Sequence, residues 1–267
     1  MTDTDTHNIF EGTVPGNPGK EELQQLISVL DLTSLDGTDN SGSIEHLCRK
    51  ALDFGEKGLP YPAAVCVYSP FIREAKKLLS GTNIRVATVT GFFPSGQAPL
   101  FLKTEEARYA VDQGADELDM VISRGKLMAG ETSFVFDEIA AIKEASGNAH
   151  LKVILETGEL KTPGLIQLAG EIAIAAGADF IKTSTGKIVP AATEEAALIM
   201  LRVIREHFGK TGKQVGFKPA GGITEPLQAW RYALLLQRIA GVEWFTPELF
   251  RIGASRLADH FLKEILI

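Results

Sequence analysis

Two related stretches, GADELDMVIS (114–123) and GADFIKTSTG (177–186), predict the fold of this chain. Each begins with Gly-Ala-Asp and continues into an apolar run of the kind found in strands that are buried on both faces. When the two are aligned on that tripeptide, Asp119 and Lys182 occupy the same position. Alternate strands of a parallel barrel share an interior layer, so we expect a carboxylate and an amine to point into one lumen.

Six further apolar runs continue the pattern from about residue 21. They are LISVLDLT (26–33), AAVCVYS (63–69), RVATVTGF (85–92), HLKVILETG (150–158), VGFKPAGG (215–222) and LFRIGAS (249–255). Helical patterns alternate with them, and two of these patterns, at 105–115 and 162–178, include a glycine at the expected stop, Gly114 and Gly177. The sequence predicts a single (β/α)₈ TIM barrel over residues 21–267, behind a flexible polar leader at 1–20. A doubly wound sheet of eight strands is the alternative.

Three side chains on different predicted strands suggest amine chemistry. Lys182 lies late in an apolar strand, where barrel enzymes place catalytic groups, and buried lysine is rare. Lys218 lies on the next strand, and a neighbouring ammonium lowers the pKa of an amine so that it becomes nucleophilic. Asp119 would accept and donate protons. The alternative interpretation is a structural ion pair that neutralises a crowded lumen.

Three more polar side chains near strand ends are candidates for substrate binding. Lys152 lies in an apolar strand and is expected deeper than the reacting carbon, as an electrostatic or structural supporter. Asp31 and Thr33, at the end of the first strand, would reach the mouth of the pocket. Both residue types also cap helices, which is the alternative role for each of them.

Glycine-rich turns after the last three strands favour a phosphate site. They comprise Gly186-Lys187, preceded by Thr185, then Gly221-Gly222, and finally Gly253 with Ser255. Glycine lets backbone N–H groups approach an anion, and barrel phosphate sites commonly follow strands 7 and 8.

Composition and motifs argue against several other functions. The formal net charge of -7 argues against nucleic acid or an anionic membrane as a partner. No apolar stretch is long enough to span a bilayer, and the two cysteines cannot form a disulfide framework, which favours the cytoplasm. No histidines pair at metal-ligand spacing, so we expect neither a metal nor another cofactor. The segment STGK lacks the first glycine of a nucleotide-binding P-loop, where Ile181 stands.

Together, GADFIKTSTGK, KVILETGELK, VGFKPAGG, ADELDMVI, RVATVTGF and RIGAS resemble the deoxyribose-phosphate aldolase family from about residue 21 to the end. The resemblance implies a class I aldolase that reversibly cleaves 2-deoxy-D-ribose 5-phosphate to D-glyceraldehyde 3-phosphate and acetaldehyde. It implies that Lys182 forms the Schiff base, that Lys218 lowers its pKa and that Asp119 relays protons. It also implies a phosphate held by the three glycine-rich turns, and it leaves a homodimer or higher homo-oligomer open.

The chain departs from the family pattern at three places. Thr224 stands where members often carry arginine, and Arg256 stands where they often carry serine or threonine. We hypothesise that Arg256 partly replaces the missing charge. Some members end in a tail with a terminal tyrosine that assists proton transfer, whereas this chain ends at Ile267, so we expect another group or water in that role. Two rivals stay open: a Schiff-base aldolase for another phosphosugar, and a non-catalytic phosphosugar-binding barrel.

Overall fold

A computed structural model describes residues 16–265 of the chain. Most of the predicted leader, and the terminal Ile267, lie outside the described residues, so the expectations attached to them stay predictions. Among the described residues, the first helix begins at Lys20, one residue before the predicted start of the barrel.

Within residues 16–265, eight parallel strands alternate with helices. The strands are β1 Leu30–Thr33, β2 Ala64–Val67, β3 Arg85–Thr90, β4 Glu117–Val121, β5 His150–Ile154, β6 Phe180–Lys182, β7 Gly216–Lys218 and β8 Ile252–Ala254. The helices are α1 Lys20–Ser28, α2 Ser41–Glu56, α3 Ile72–Leu78, α4 Leu100–Asp112, α5 Arg124–Met128, α6 Thr132–Ala145, α7 Thr157–Leu160, α8 Pro163–Ala175, α9 Glu194–Thr211, α10 Pro226–Ile239 and α11 Leu257–Ile265.

The strands close into a barrel. Hydrogen-bonded neighbours follow the chain from β1 to β7, and β8 pairs with β1. Between β7 and β8, parallel bridges join Phe217 to Phe250 and Ala220 to Gly253. The predicted (β/α)₈ barrel is therefore confirmed, and the alternative of an open doubly wound sheet is wrong.

The first predicted strand is too long at its N-terminal end. Residues 26–28 of the run 26–33 belong to α1, where Leu23, Leu26 and Ile27 are buried at helical spacing. Only Leu30–Thr33 forms the strand. A short apolar run fits a buried helix face as well as a buried strand, so periodicity alone does not locate this boundary.

The lumen of the barrel keeps apolar and ionised side chains in separate parts. On the side of β1 to β3 it holds a small apolar cluster of Leu35, Ala64, Cys66, Ala87 and Val89, against which Tyr68 and Phe93 pack. The ionised side chains, which are described below, come from β4 to β8 and from Asp31 on β1. Outward-facing residues of the strands pack against the helices in a larger apolar layer. This division leaves the reactive groups on one side and an uncharged wall on the other.

Two further observations concern residues 16–265 as a whole. No helix there is both long and apolar enough to cross a membrane. No group of three or more His, Cys, Asp and Glu side chains there is arranged to hold a metal ion.

Candidate active site

Lys182 lies at the C-terminal end of β6, on the floor of a pocket. The residue is only 3% exposed, and its Nζ donates to Oδ2 of Asp119 on β4 at 2.7 Å. The repeated Gly-Ala-Asp segments therefore bring the aligned carboxylate and amine into direct contact. A buried amine that faces a pocket is placed to react with a small molecule rather than with bulk solvent.

Lys218 lies on the same side of the barrel wall as Lys182. The two residues are register partners on β6 and β7, and side chains that pair in a parallel sheet share a face. The Nζ of Lys218 also donates to Oδ2 of Asp119 at 2.7 Å, so one carboxylate oxygen accepts from both ammonium groups. Lys218 has a second acceptor, Asp31, whereas the hydrogen bonds found for Lys182 go to Asp119 alone.

The two lysines differ in their affinity for a proton. Burial lowers the pKa of Lys182, and the charge of Lys218 lowers it further against the opposing effect of Asp119. The carboxylates of Asp119 and Asp31 outweigh burial at Lys218 and raise the pKa of that amine. The charge of Asp119 is secure, because the ammonium groups of Lys152, Lys182 and Lys218 overcome burial and hold its pKa well below the usual range. Lys182 therefore loses its proton first, and burial contributes more to this than the neighbouring cation that the sequence analysis emphasised.

Asp31 and Lys152 lie below the pocket and do not line it. Asp31 was expected at the pocket mouth, but it is fully buried and accepts from Lys218 and Arg251. The strand turns its side chain into the lumen, whereas Thr33, two residues later, does line the pocket. Lys152 is fully buried and donates to Asp119 at 2.9 Å, consistent with the deeper position expected for it.

Two charged residues in this group were missed by the sequence analysis. Glu117 on β4 and Arg251, just before β8, are both fully buried and joined by two hydrogen bonds of 2.7 and 3.0 Å. Each was visible as a charged residue inside an apolar run, in DELDMVIS and LFRIGAS. A charged residue inside an apolar run also marked Lys182, so this signal was sufficient to identify both residues.

The pocket above Lys182 has a volume of about 300 Å³. It is lined by segments that follow strands at the C-terminal end of the barrel: 33–36, 185–187, 220–224 and 253–256. Predicted substrate contacts thus brought together there are Thr33, Thr185, Gly186, Lys187, Gly221, Gly222, Gly253 and Ser255. Arg256 and Thr224 line it as well.

Close backbone approach explains why glycine is required at the pocket rim. Gly221 has φ +85°, and a Cβ there would lie 2.7 Å from both Cα of Gly186 and Cβ of Ala191. A Cβ at Gly253 would lie 2.9 Å from Cβ of Ala220. The turns after β6, β7 and β8 can therefore converge only without side chains at these positions, which leaves backbone groups facing the pocket.

Two polar side chains anchor the turn after β6. The Nζ of Lys187 donates to the carbonyl oxygen of Leu35 and lies 3.6 Å from Oδ1 of Asp36, across the pocket mouth. Glu156, which the sequence analysis did not single out, is fully buried in the left-handed region at φ 59° and accepts from the hydroxyl of Thr185 at 2.5 Å. Such strained, buried conformations cluster at functional sites, and this one holds the pocket wall in place.

The model of the family described as DeoC/LacD family aldolase matches residues 25–243. The chain belongs to the DeoC/LacD aldolase family. It is therefore an aldolase, a lyase that acts on carbon–carbon bonds, and the family resemblance seen in the sequence is confirmed.

Three proteins that are similar to this chain are named as deoxyribose-phosphate aldolases. The deoxyribose-phosphate aldolase of Homo sapiens is 44% identical over 256 residues, covering 91% of this chain and 80% of the human chain. Among solved structures, a putative deoxyribose-phosphate aldolase from Coccidioides immitis has a TM-score of 0.76 and 30% identity, covering 98% of this chain and 94% of that one. The deoxyribose phosphate aldolase from Aeropyrum pernix, described as having a unique tetrameric structure, has a TM-score of 0.70 and 26% identity, covering 94% of this chain and 100% of that one.

Proposed function

We propose that this aldolase reversibly cleaves 2-deoxy-D-ribose 5-phosphate to D-glyceraldehyde 3-phosphate and acetaldehyde through a Schiff base on Lys182. The observation that carries the proposal is a buried amine of lowered pKa on the floor of a pocket whose rim consists of glycine-rich turns. The name of the human relative, at 44% identity, supports this substrate.

In the proposed cycle, Lys182 provides the nucleophile. Its neutral amine attacks the C1 aldehyde to give a carbinolamine, and loss of water gives an iminium. Asp119 accepts from both amines at 2.7 Å, so a proton can pass between Lys182 and Lys218 along that carboxylate oxygen. The departing hydroxyl receives its proton from Asp119, through Lys218 or a water molecule, and leaves as water.

The iminium then acts as the electron sink for bond cleavage. The C3 hydroxyl loses its proton, the bond between C2 and C3 breaks, and its electron pair moves into an enamine of C1 and C2. This releases C3 to C5 as D-glyceraldehyde 3-phosphate. Protonation of the enamine at C2 and hydrolysis of the resulting iminium then release acetaldehyde and restore Lys182. The small apolar side chains of the opposite lumen wall suit a two-carbon donor with no polar group of its own.

The phosphate would lie at the rim, remote from the broken bond. Backbone N–H groups at Gly222 and Ser255, together with Lys187, offer donors there, whereas those of Gly221 and Gly253 already donate to backbone carbonyls. Helix α11 begins directly behind the turn that follows β8. Binding energy from a remote phosphate orients the reacting carbons over the amine.

Reductive trapping tests this proposal. Borohydride added with acetaldehyde is expected to leave an ethyl group on Lys182, which peptide mass mapping would locate. Lys182→Ala is expected to lose that adduct and nearly all activity, because the other lysine that lines the pocket, Lys187, is held at the rim by its bond to the carbonyl oxygen of Leu35. Lys187→Ala is the matched control, since it should keep the adduct with unphosphorylated acetaldehyde while weakening phosphate binding.

The alternatives predict different results in the same assay. Trapping with ketone donors but not with acetaldehyde would indicate an aldolase for another phosphosugar. Binding of the phosphosugar without any adduct would indicate a non-catalytic barrel. Either result would overturn the proposed substrate or mechanism.

We infer that the chain forms a homo-oligomer. Phe101 and Tyr109 lie on one face of α4 and are 65% and 46% exposed. An exposed apolar patch of this kind marks a site where another protein chain binds. Light scattering coupled to size exclusion is expected to give a mass above that of one chain. Phe101→Asp should lower that mass, and a monomeric wild-type protein would contradict the inference.

A cytoplasmic location is also part of this proposal. It is supported by Cys48 and Cys66, which are buried as free thiols, and cell fractionation would test it. The expectations that nucleic acid and membranes are not partners, and that no cofactor is needed, stay predictions.

A further inference from the structure

The buried charges beneath the pocket form a closed ring. Lys152 donates to Oδ1 of Asp119 at 2.9 Å and to Oε2 of Glu117 at 2.5 Å. Glu117 is joined to Arg251, and Arg251 in turn donates to Oδ1 of Asp31 at 2.7 Å. From there the ring returns through Lys218, which bonds the other oxygen of Asp31 and Oδ2 of Asp119. We call these six residues the ion ring.

The ion ring is electrically balanced without Lys182. It contains three carboxylates, Asp31, Glu117 and Asp119, and three cations, Lys152, Lys218 and Arg251, all fully buried. Lys182 is attached to Asp119 from the pocket side as a seventh member. A charge on Lys182 would therefore be an excess charge in a region from which water is excluded, and such a charge is costly.

Arg251 closes the part of the ion ring farthest from the pocket. Its guanidinium donates to two carboxylates at once, and the ring of Phe180 lies 5.8 Å from its Cζ and 6.0 Å from the Nζ of Lys152. The fork of donors in a guanidinium fixes the relative position of two carboxylates better than an ammonium does. Asp31 and Glu117 hold Lys218 and Lys152, which in turn hold Asp119.

We propose that Arg251 and Glu117 are positioning residues of the reaction. By completing the neutral ion ring, they fix Asp119 and Lys218 against Lys182. Because the charges of the ion ring cancel one another, no carboxylate of the ion ring is left over to balance a positive charge on Lys182. This inference rests on the proposed role of Lys182 as the Schiff-base lysine. Neither residue touches the pocket, so both act through the ring.

Three titratable groups act most strongly on Lys182, and they come from three strands. They are Asp119 on β4, Lys218 on β7 and the thiol of Cys66 on β2. Burial raises the pKa of Cys66 to about 11, so that thiol is uncharged in a neutral assay. At the other end of the barrel, Arg85 donates to Glu117, but its side chain is 33% exposed and solvent screens its charge. A change of charge within the ion ring should therefore shift the pKa of Lys182, because the other groups just named offset it little.

Opposite substitutions in the ion ring should shift Lys182 in opposite directions. Arg251→Met leaves the ring negative, which favours the ammonium form, so the acidic limb of the pH profile of kcat/KM should move up. Glu117→Gln leaves the ring positive and should move the same limb down. Each shift should be about one pH unit, the order expected for a unit charge separated from Lys182 by several buried ion pairs at an effective dielectric constant of about 20. Limbs that move together, or do not move, would overturn the proposal.

Two further variants separate charge from shape. The double variant Arg251→Met/Glu117→Gln restores the balance and should return the limb to the wild-type pH, although kcat stays reduced because the ring is open. Arg251→Lys keeps the charge and should not shift the limb. If Arg251→Met fails to fold, the isosteric Glu117→Gln still tests the direction of the shift. Lys210→Met, on the exposed surface, is the control without effect on the limb.

A second measurement keeps this proposal independent of the substrate. Competitive labelling with acetic anhydride at a series of pH values, read by mass mapping of the peptide that contains Lys182, reports the protonation of that amine without turnover. The same opposite shifts are expected there even if the natural substrate is another aldehyde. Labelling that titrates identically in both single variants would overturn the role of the ion ring.

Discussion

At the scale of single residues, Arg256 is the departure from the family pattern with the clearest expected effect. It lines the same pocket as Lys187, where a phosphate would bind. A charge-assisted hydrogen bond contributes about 1.5 kcal/mol, which corresponds to roughly a tenfold change in affinity. We therefore expect Arg256→Ala to raise KM for 2-deoxy-D-ribose 5-phosphate about tenfold and to leave kcat largely unchanged.

The unphosphorylated sugar is the matched control for that prediction. Because Arg256 is expected to contact only the phosphate, KM for 2-deoxy-D-ribose should be the same in the wild-type and variant enzymes. Steady-state kinetics with both sugars would measure the difference. An unchanged KM for the phosphorylated sugar would show that Arg256 does not replace the missing arginine charge.

Individual residues also show how far the sequence could be read. Lys182 and Lys218 were recognisable because lysine inside an apolar strand is rare. That the two side chains share one face of the barrel wall was established by the register of β6 and β7 in the structure. Asp31 was placed too close to the pocket mouth, because sequence position does not give depth along a tilted strand. The ion ring could not be predicted, since it depends on contacts such as Lys218 with Asp31, which are 187 residues apart.

At the scale of the secondary structure elements, the repeated pattern of strand and helix was sufficient to predict the architecture. The stops at Gly114 and Gly177 agree with α4 and α8, which end at Asp112 and Ala175, and the two glycines have φ +98° and +99°. The turns were harder to predict. The conformation of Glu156 is imposed by its buried bond to Thr185, a contact between elements that no local pattern encodes. Local propensity thus determines which elements form, while tertiary contacts determine the shape of the pocket wall.

At the scale of the whole molecule, the barrel concentrates its ionised groups on one side of the lumen and small apolar groups on the other. A buried charge network contributes less to stability than its number of bonds suggests, because desolvation offsets the attraction. Its cost is acceptable where it organises a reactive amine. Because its carboxylates must be ionised, the same network makes the stability of the fold depend on pH.

The three carboxylates of the ion ring make the fold acid-sensitive. Against burial, nearby cations hold the pKa of Asp31, Glu117 and Asp119 below the ordinary values. A carboxyl whose pKa is lowered on folding stabilises the native state above its unfolded pKa of about 4, and this stabilisation is lost as the pH falls through the lowered native value. The free energy of unfolding should therefore be steady, as far as these groups are concerned, from pH 7 to 5 and fall steeply below about pH 4.

Glu117→Gln isolates the share of one carboxyl in that acid sensitivity. The variant takes up one proton fewer on unfolding, so the slope of unfolding free energy against pH below pH 4 should be smaller by up to about 1.4 kcal/mol per pH unit. Urea denaturation at closely spaced pH values would measure both slopes. Glu206→Gln, whose carboxylate is 56% exposed, is the control and should leave the slope as it is in the wild type. Equal slopes for the wild type and Glu117→Gln would mean that Glu117 is not ionised in the native barrel. The ion ring would then carry a net positive charge beside Lys182 instead of being neutral.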